Sequence, residues 1–427
     1  MKFNIITFGC KVNAYESEYI KEQFLKDNFI YEDDSKKSDI VIVNTCSVTN
    51  TADNKCLKTI RGVRRDNSNC ILVVCGCSAE NHRHEFDELG IDILIGTKNK
   101  ARILTYVKNF MVNHETYSEF SEERQYAFED MQVEKFNDLT RAFVKIQDGC
   151  NNFCSYCIIP YVRGGVRSKN IETAYQEIAE LVSSGHQEIV FTGINTGAYG
   201  KETGEYDLVD LIRRISKLAG LKRIRVSSIE ITEIDDRFIE ELAQNKKVCG
   251  HLHVSLQAGC DKILKLMNRK YKKAEFLAKV KKIKAVRPDV NLTTDVIVGF
   301  PGEDENDFLE TVAFCQEVGF SKIHVFPYSE RKGTRAYNMP NKVPGNIRKE
   351  RARQLIKIDE DLQRKFNERF VGQVVDVLIE EVFDNKAIGH TENFLKVVVK
   401  EKLEKNKIYK ILIDEALVDA VNGKCLK

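Results

Sequence analysis

The sequence of 427 residues has no tryptophan and no long apolar run. We have no physical explanation for the absence of tryptophan. A membrane-spanning helix needs roughly 20 consecutive apolar residues, so the sequence predicts no membrane span. It also has almost no excess of charge of either sign, because 66 basic residues are offset by 64 acidic ones. Any nucleic-acid-binding surface must therefore be a local patch rather than the whole molecule.

Thirteen cysteines, an odd number, do not suit a secreted disulfide scaffold in a chain of this length. The start of the chain, Lys2–Phe8, is typical of a first strand and not of a secretory signal peptide. Both features predict a protein of the reducing cytoplasm that uses cysteine for chemistry. The length allows two or three domains with substantial cores.

Three of the cysteines, Cys150, Cys154 and Cys157, follow the spacing C-x₃-C-x₂-C. They can supply three thiolates to a [4Fe–4S] cube, whose fourth iron then stays open to bind another molecule. This spacing, with the aromatic Tyr156 before the third cysteine, resembles that of radical S-adenosylmethionine (SAM) enzymes, in which the open iron binds SAM. The alternatives are a zinc knuckle or a disulfide knot, but a zinc site needs a fourth cysteine or histidine, and none lies close in sequence.

Alternating strands and helices over roughly the first 110 residues predict a doubly wound parallel sheet. Cys10, Cys46 and Cys77 each follow a predicted strand. Because open α/β sheets bind ligands at the carboxyl ends of their strands, the three thiols are expected to converge as a second three-cysteine set. They can instead be buried structural cysteines. Cys75 is a further candidate on the same side of its strand, but Cys77 is favoured because it lies beyond Gly76.

The rest of the chain predicts two further units. The periodic pattern breaks over Met111–Lys135, which indicates a linker between domains. Repeated βα units over Ala142–Phe326 predict a full or partial TIM-like barrel. The resemblance to radical SAM enzymes implies a partial barrel of six such units, and that count fits here. A mixed-charge helix is predicted over Ile347–Phe370. Short alternating strands then predict a small all-β barrel. The fold class is thus α/β with a terminal β-barrel, and the expected domains are residues 1–115, 136–368 and 370–427.

Two three-cysteine sets followed by a small β-barrel resemble the radical SAM methylthiotransferase family over nearly the whole chain. The motifs that carry the resemblance are Thr7-Phe-Gly-Cys-Lys-Val-Asn13, Asn44-Thr-Cys46, Gly76-Cys77 and Cys154-Ser-Tyr-Cys-Ile-Ile-Pro160, followed by Arg163-Gly and Arg167-Ser. The resemblance implies two [4Fe–4S] clusters: an auxiliary cluster on Cys10, Cys46 and Cys77, and a radical SAM cluster on Cys150, Cys154 and Cys157. It also implies that the terminal barrel is an RNA-binding TRAM domain.

Members of this family modify adenosine 37 of tRNA, carrying either isopentenyl or threonylcarbamoyl, or an aspartate of a ribosomal protein. Asn44–Asp53 and Thr192–Tyr199 look most like the threonylcarbamoyladenosine branch, which implies addition of a methylthio group at carbon 2 of that base. One SAM would supply the methyl group and a second the radical. The alternatives are the other two substrates, or a non-catalytic iron–sulfur RNA-binding protein.

Contacts with SAM are expected, by analogy with the superfamily, from Tyr156, Gly193, Ser228, Glu230, Gln257 and Asp295. Arg163 and Arg167 follow the cluster loop and are candidates for contact with phosphate or SAM; the alternative is a pair of solvated loop arginines. His251 and His253 alternate with apolar residues, so they are expected to form hydrogen bonds inside the barrel rather than to bind a metal.

RNA contact is expected mainly from the terminal barrel and from a basic helix. The basic residues of that helix are Lys55, Lys58, Arg61, Arg64 and Arg65. Such residues bind backbone phosphate without reading base sequence. An electron donor such as flavodoxin or ferredoxin is expected to reduce the radical SAM cluster.

Overall fold

The computed structural model describes residues 1–120, 126–136 and 140–426. Three units follow one another along the chain: an open parallel sheet with helices on both faces, a partial barrel of βα units, and a small closed β-barrel. These are the expected architectures. Within the described residues, no helix combines the length and the apolarity that crossing a bilayer requires.

The first unit is a six-stranded parallel sheet in the order β2-β1-β3-β4-β5-β6. Its strands are β1 Lys2–Thr7, β2 Ile30–Tyr31, β3 Ile40–Thr45, β4 Ile71–Gly76, β5 Ile93–Ile95 and β6 Tyr117–Glu119. Its helices are α1 Lys11–Lys26, α2 Asn50–Asp66, α3 Cys77–Asn81, α4 Arg83–Phe86 and α5 Ile103–Asn113.

Strand β3 shows why this sheet is covered on both faces. Every residue of the strand is buried. Ile40 and Ile42 pack in one apolar cluster with residues of α1 and α5, whereas Val41 and Val43 pack in another with residues of α2. Successive side chains of a strand point to opposite faces, so a continuous apolar run needs a helix layer on each side.

The prediction of a linker over Met111–Lys135 is wrong at its start, where regular structure continues. Helix α5 continues to Asn113, and β6 pairs with β5 as the edge strand of the first sheet, beyond the expected boundary at residue 115. Met131 and Val133 are fully buried in the core of the second unit, so this stretch is packed rather than solvated. Residues 121–125 lie outside the described residues.

The strands of the second unit are β7 Arg141–Lys145, β8 Gln147–Asp148, β9 Arg167–Ser168, β10 Glu188–Thr192, β11 Arg223–Val226, β12 Ser228–Ile229, β13 His251–Val254, β14 Asn291–Val298 and β15 Lys322–Pro327. Ser227 divides one strand position of the barrel into β11 and β12. If these two strands are counted as one position, the barrel has six parallel positions, in the order β7, β10, β11/β12, β13, β14 and β15. The helices are α6 Ile159–Val162, α7 Ile171–Ser183, α8 Leu208–Ile215, α9 Asp236–Gln244, α10 Asp261–Leu266, α11 Lys273–Val286, α12 Glu305–Val318 and α13 Gly345–Glu368.

The third unit is a closed barrel in the order β16-β17-β18-β20-β19, in which β19 pairs back with β16. Its strands are β16 Val374–Phe383, β17 Lys386–Thr391, β18 Lys396–Val399, β19 Ile408–Ala416 and β20 Val421–Cys425. Closure leaves the barrel without a free edge strand.

Phe394 joins the small barrel to the second unit. Its ring stacks on His390 at a centroid distance of 4.4 Å and on His251, the first residue of β13, at 4.9 Å. The guanidinium groups of Arg141 and Arg225 lie over the same ring at 4.9 and 4.7 Å. The aromatic side chain therefore closes the amino-terminal end of the partial barrel.

Candidate functional site

Three cysteines of the first unit lie at the carboxyl ends of neighbouring strands. Cys10 caps α1, Cys46 directly follows β3, and Cys77 begins α3 after β4. Gly9, at φ +92°, lies so close to Cys46 that a Cβ atom on Gly9 would be 2.4 Å from the Cys46 sulfur. Burial, together with the neighbouring Cys77 and Cys10, raises the pKa of Cys46 to about 12. The predicted convergence of the three thiols is therefore found.

Cys75 and Cys77 have different surroundings although only Gly76 separates them. Cys75 is fully buried among apolar residues of the sheet core, such as Phe3 and Ile42. Cys77 packs instead against Ile158 and Val162 of the second unit, next to the second cysteine set. Cys77 therefore lies at the junction of the two units, and Cys75 lies in the interior of the first.

The exposure of Cys150, Cys154 and Cys157 is more uniform than that of the first set. All three of these side chains are partly exposed, whereas in the first set Cys46 and Cys77 are buried and Cys10 is exposed. The Cys150 sulfur accepts a hydrogen bond from the Asn152 amide at 3.4 Å, and the Cys154 sulfur accepts one from the Arg269 guanidinium at 3.3 Å. Burial raises the pKa of Cys150 to about 11 and that of Cys157 to about 12.

The spacing of both sets suits an iron–sulfur cube better than a single metal ion. A zinc ion holds its ligands at about 2.0–2.3 Å and so draws them close together. Among the described residues, the one group of three metal-binding side chains whose ligand atoms all lie within 4.8 Å is His253, Asp295 and His324, which includes no cysteine. Three thiols held further apart, in two sets, fit two [4Fe–4S] clusters that each have one open iron.

Arg163 lies between the two cysteine sets, not in a solvated loop or against phosphate as expected. Its side chain is fully buried. It donates from Nε to the Cys77 sulfur at 3.2 Å, from Nη1 to Glu16 and Asp148 at 3.1 Å each, and from Nη2 to the Asn13 side chain at 2.9 Å. Asp148 precedes the second cysteine loop, so the side chain of Arg163 links the two cysteine sets.

The surrounding buried network carries more positive than negative charge. Glu16 and Asp148 are its carboxylates, and the cations paired with them are Lys100, Lys145, Arg163 and Arg167. Burial acts to raise the pKa of Asp148, but Lys145, Arg163 and Arg167 hold it well below its usual value. The excess of positive charge beside Cys77 suits a thiolate-bound cluster. Arg167 is thus also structural, contrary to the expected contact with phosphate or SAM.

A cavity of about 730 Å³ lies where the three units meet. Cys10 and Lys11 of the first unit line it, and the small barrel contributes Phe394 among others. The second unit contributes a polar wall that includes His253, Thr293, Asp295, Ser321, Lys322 and His324. Of the residues expected to bind SAM, Gly193, Ser228 and Asp295 line this cavity.

A second cavity, of about 190 Å³, lies beside Cys157 and is lined mainly by apolar atoms. Its wall includes Tyr156, Ile297, Phe326 and Tyr328, which offer flat and apolar surface for an adenine ring. Asp295 lines both cavities, so the two adjoin.

Gln257 also lines the smaller cavity and has a left-handed backbone at φ +69°, which is rare for a residue with a side chain. Its amide donates to the Asp295 carbonyl at 2.8 Å, and its carbonyl accepts from the Ile297 amide at 2.9 Å. These two bonds hold the strained residue in place against β14, as is common at ligand sites.

Glu230 is not brought to either of these two cavities, unlike the other residues expected to bind SAM. Its carboxylate pairs with Arg269, which also donates to the Cys154 sulfur. Glu230 lines a small pocket with Cys154 and Arg269. Its expected contact with SAM stays a prediction.

The histidines of β13 are hydrogen-bonded inside the barrel, as expected. His253 Nδ1 lies 2.9 Å from the Thr293 hydroxyl, which lies 3.3 Å from His251 Nε2. His253 Nε2 also lies 3.3 Å from the Asp295 carboxylate. Burial lowers the pKa of His324, on the neighbouring strand, so its imidazole stays neutral at pH 7.

Two cationic residues at the cavities were not singled out from the sequence. Burial, followed by the charges of Arg141 and Arg225, lowers the pKa of Lys11 to about 8. Arg331 lines the smaller cavity and donates to Ser47 at 2.6 Å and Asp53 at 3.0 Å. The position of Lys11 directly after Cys10 was the available signal, but Arg331 has none in the sequence.

The basic helix α2 is partly available to RNA. Lys55, Lys58 and Arg61 are exposed. Arg64 is instead used within the first unit, where it pairs with Asp92 at 2.8 Å and donates to three backbone carbonyls. Arg64 is therefore not available to bind RNA as expected.

Two family profiles match the chain. Residues 144–315 match the radical SAM superfamily, and residues 2–96 match an uncharacterised protein family, UPF0004. Among solved structures, a cobalamin-bound radical SAM methyltransferase, TsrM from Kitasatospora setae, matches with a TM-score of 0.57 at 14% identity, over 79% of this chain and 76% of that one. This likeness shows the shared fold.

Curated relatives match over most of their length. The threonylcarbamoyladenosine tRNA methylthiotransferase MtaB of Bacillus subtilis is 39% identical over 402 residues, which is 92% of this chain and 89% of the relative. The tRNA-2-methylthio-N(6)-dimethylallyladenosine synthase of Clostridium perfringens is 36% identical over 92% of this chain and 90% of that protein. The chain belongs to the radical SAM methylthiotransferase family: it is a tRNA methylthiotransferase that uses SAM and [4Fe–4S] clusters.

Proposed function

We propose that this methylthiotransferase acts on threonylcarbamoyladenosine at position 37 of tRNA and adds a methylthio group at carbon 2 of that base. One SAM serves as methyl donor and a second as radical source. The relatives do not decide between the two tRNA substrates, since those named for each differ from this chain by similar amounts. The choice is supported by the chemistry of the larger cavity.

The polar wall of that cavity is the observation that carries the proposal. Threonylcarbamoyl brings a carboxylate, a hydroxyl and a urea group into the site, whereas isopentenyl brings only hydrocarbon. A hydrocarbon chain against His253, Asp295 and His324 would leave polar groups without partners, which is costly. The lining therefore favours the polar substituent.

The two buried thiols of one set and the partly exposed loop of the other support two different tasks. We assign Cys150, Cys154 and Cys157 to the radical SAM cluster, and Cys10, Cys46 and Cys77 to the auxiliary cluster. Carbon 2 of adenine bears no acidic proton, so a base alone cannot activate it. When bound, the two clusters and SAM supply hydrogen abstraction at that carbon and the transfer of sulfur and a methyl group.

The protein's own part is to bind, orient and enclose. Tyr156 and Ile297 offer surface to the adenine of SAM, and Gln257 fixes the shape of that cavity. Asp295, which borders both cavities, lies where SAM and the target base would meet. Position 37 lies in the anticodon loop, where a base can be extruded without opening a duplex.

The partners of the reaction are part of the proposal. Exposed lysines of α2 and the closed β-barrel are assigned to tRNA backbone contact. A flavodoxin or ferredoxin is assigned to supply electrons through the partly exposed loop of Cys150 to Cys157.

The test is an anaerobic reaction of the reconstituted protein with SAM, dithionite and tRNA that bears either modified adenosine. Digestion to nucleosides and mass spectrometry should show a methylthio gain on threonylcarbamoyladenosine and little on isopentenyl-adenosine. Cys154→Ala and Cys46→Ala should abolish the product, whereas Cys315→Ala, which replaces a buried cysteine in the core of the second unit, should keep it. A gain on isopentenyl-adenosine alone would overturn the proposed substrate.

A further inference from the structure

Lys11 differs from the other lysines that line the large cavity. Lys322 pairs with Asp359 at 2.7 Å, and Lys396 pairs with Asp419 at 3.7 Å. Within the described residues, no carboxylate lies within 4 Å of the Lys11 ammonium group, although the side chain is open to the cavity. The cavity thus contains one lysine that still lacks an anionic partner.

The surroundings of Lys11 increase its need for an anion. Arg141 and Arg225 are close enough for their positive charges to act on it. Glu188, a carboxylate that acts on it favourably, is already engaged by Arg225 at 2.6 Å. Lys11 is exposed in the open cavity, so a ligand that fills this corner takes the ammonium group out of water. An apolar ligand would leave that group without a paired charge, which is costly, whereas a ligand with a negative group supplies one.

The opposite wall supplies hydrogen-bonding groups rather than further charge. His324 and His253 lie together with Asp295, and Thr293 orients His253 through its Nδ1. Both ring nitrogens of His253 are engaged, Nδ1 by Thr293 and Nε2 by Asp295 at 3.3 Å, so the groups left on this wall to meet a ligand are His324 and the Asp295 carboxylate. The cavity therefore combines a cation on the wall formed by α1 with polar, directional groups on the wall formed by β13 to β15.

We propose that Lys11 binds the carboxylate of the threonylcarbamoyl group, while Asp295 and His324 meet its hydroxyl and urea atoms. This inference rests on the proposed function and names the residue that selects between the two modified adenosines. Isopentenyl offers no anion, so its binding would leave the ammonium group buried and unpaired. A site built for a charged hydrogen bond rejects an analogue that lacks it far more strongly than an apolar pocket rejects a missing methyl group.

The experiment separates the substrate carboxylate from the rest of the base. Anticodon stem-loop RNA would carry threonylcarbamoyladenosine, its neutral methyl amide, or isopentenyl-adenosine. Dissociation constants would be measured by fluorescence anisotropy with the anaerobic two-cluster protein in the absence of SAM, and kcat and KM would follow with SAM and reductant. Wild type is expected to prefer the acid over the amide by roughly 10- to 100-fold, as charged hydrogen bonds do.

Variants of Lys11 test whether its ammonium group causes this preference. Lys11→Gln and Lys11→Met should remove the preference for acid over amide, and Lys11→Arg should keep much of it. Lys108→Gln is the control, because it removes a lysine of α5 that pairs with Asp27 at 2.7 Å and does not line the cavity, and its preference should equal that of wild type. Iron content and visible absorption would confirm that Lys11 variants keep the cluster beside Cys10.

An acid-over-amide preference that stays the same in Lys11→Gln as in wild type would overturn the inference. If Lys11→Gln loses its auxiliary iron, the comparison of Lys11→Arg with Lys11→Met decides in the same way, since both replace the side chain. Failure of the proposed function looks different: wild type itself would then leave threonylcarbamoyladenosine unmodified and show no preference for the acid.

Discussion

The guanidinium of Arg163 donates a hydrogen bond to the Cys77 sulfur across 3.2 Å, although 86 positions separate the two residues in sequence. Each belongs to a different unit, and each lies next to a different cysteine set. The buried side chain of Arg163 therefore contributes both to the junction of the two units and to the surroundings of Cys77, the proposed auxiliary-cluster ligand.

Replacement of Arg163 should destabilise this junction strongly. Arg163→Gln leaves Glu16 and Asp148 with fewer cationic partners inside the protein, and breaking a buried ion pair in this way costs about 3–5 kcal/mol. The measurement is the free energy of unfolding in urea. Arg353→Gln, which removes an exposed arginine paired with Glu350, should change that free energy by less than about 1 kcal/mol. Equal effects of the two substitutions would contradict the assigned role.

The neighbouring cysteines Cys75 and Cys77 provide a matched pair for the auxiliary cluster. Cys77→Ala should lower the iron content of the reconstituted protein by roughly four atoms per chain, the content of one cube. Cys75→Ala should keep both clusters, because Cys75 lies in the apolar core of the sheet. Iron analysis and electron paramagnetic resonance check both variants. Loss of a cluster in Cys75→Ala, with retention in Cys77→Ala, would reassign the ligand.

Acid should weaken the same junction. Burial acts to raise the pKa of Glu16, but Arg163, Lys100 and Lys145 hold it well below its usual value. A carboxyl group with a depressed folded-state pKa contributes its full stability above its ordinary pKa of 4.5, and that stability is lost as the pH falls below it toward the folded-state value.

We therefore expect the unfolding free energy of the cluster-free protein to fall by up to about 2 kcal/mol more between pH 6 and pH 3 in wild type than in Glu16→Gln. Urea titrations at several pH values measure it. Glu88→Gln, at an exposed position, should follow the wild-type profile. The same dependence on pH in Glu16→Gln and wild type would show that Glu16 is not the group responsible.

Phe394 should control how firmly the small barrel attaches. Phe394→Ala removes the ring that stacks on His251 and His390, so amides of β13 and of residues 387–395 should exchange with deuterium at least tenfold faster. Hydrogen exchange with mass spectrometry measures this. Phe383→Ala, at a ring 54% exposed in the same barrel, should leave β13 protected. Unchanged exchange in Phe394→Ala would mean that the barrel is held by its polar contacts alone.

The sequence was sufficient to predict features that depend on local spacing. Parallel strands place their carboxyl ends at one edge, so Cys10, Cys46 and Cys77 could be expected to meet although no motif joins them. The alternation of strand and helix patterns likewise predicted the barrel of βα units, and short alternating strands predicted the terminal β-barrel. The spacing C-x₃-C-x₂-C was sufficient to predict the cysteine set at 150–157.

Features that depend on distant partners were not predictable. Arg163 and Arg167 look like ordinary loop arginines until the fold brings Glu16 and Asp148 beside them. Glu230 occupies a strand exit that suggests ligand binding, but Arg269 engages it. Phe394 gives no signal at all, since its partners His251 and Arg225 belong to another unit and their proximity depends on how the units dock.

The wall around Cys77 has a consequence for the order in which the protein is assembled. Ile158, Val162 and Arg163 complete that wall, and all three belong to the second unit. While the second unit is still undocked, as it is early in synthesis, Cys46 and Cys77 are accessible to an iron carrier. Once the units have closed, delivery must pass through the large cavity beside Cys10. Biogenesis of the holoprotein is therefore easiest when auxiliary iron is inserted before the halves of the molecule come together, whereas the partly exposed loop of Cys150 to Cys157 can be filled, or repaired after oxidation, at any later time.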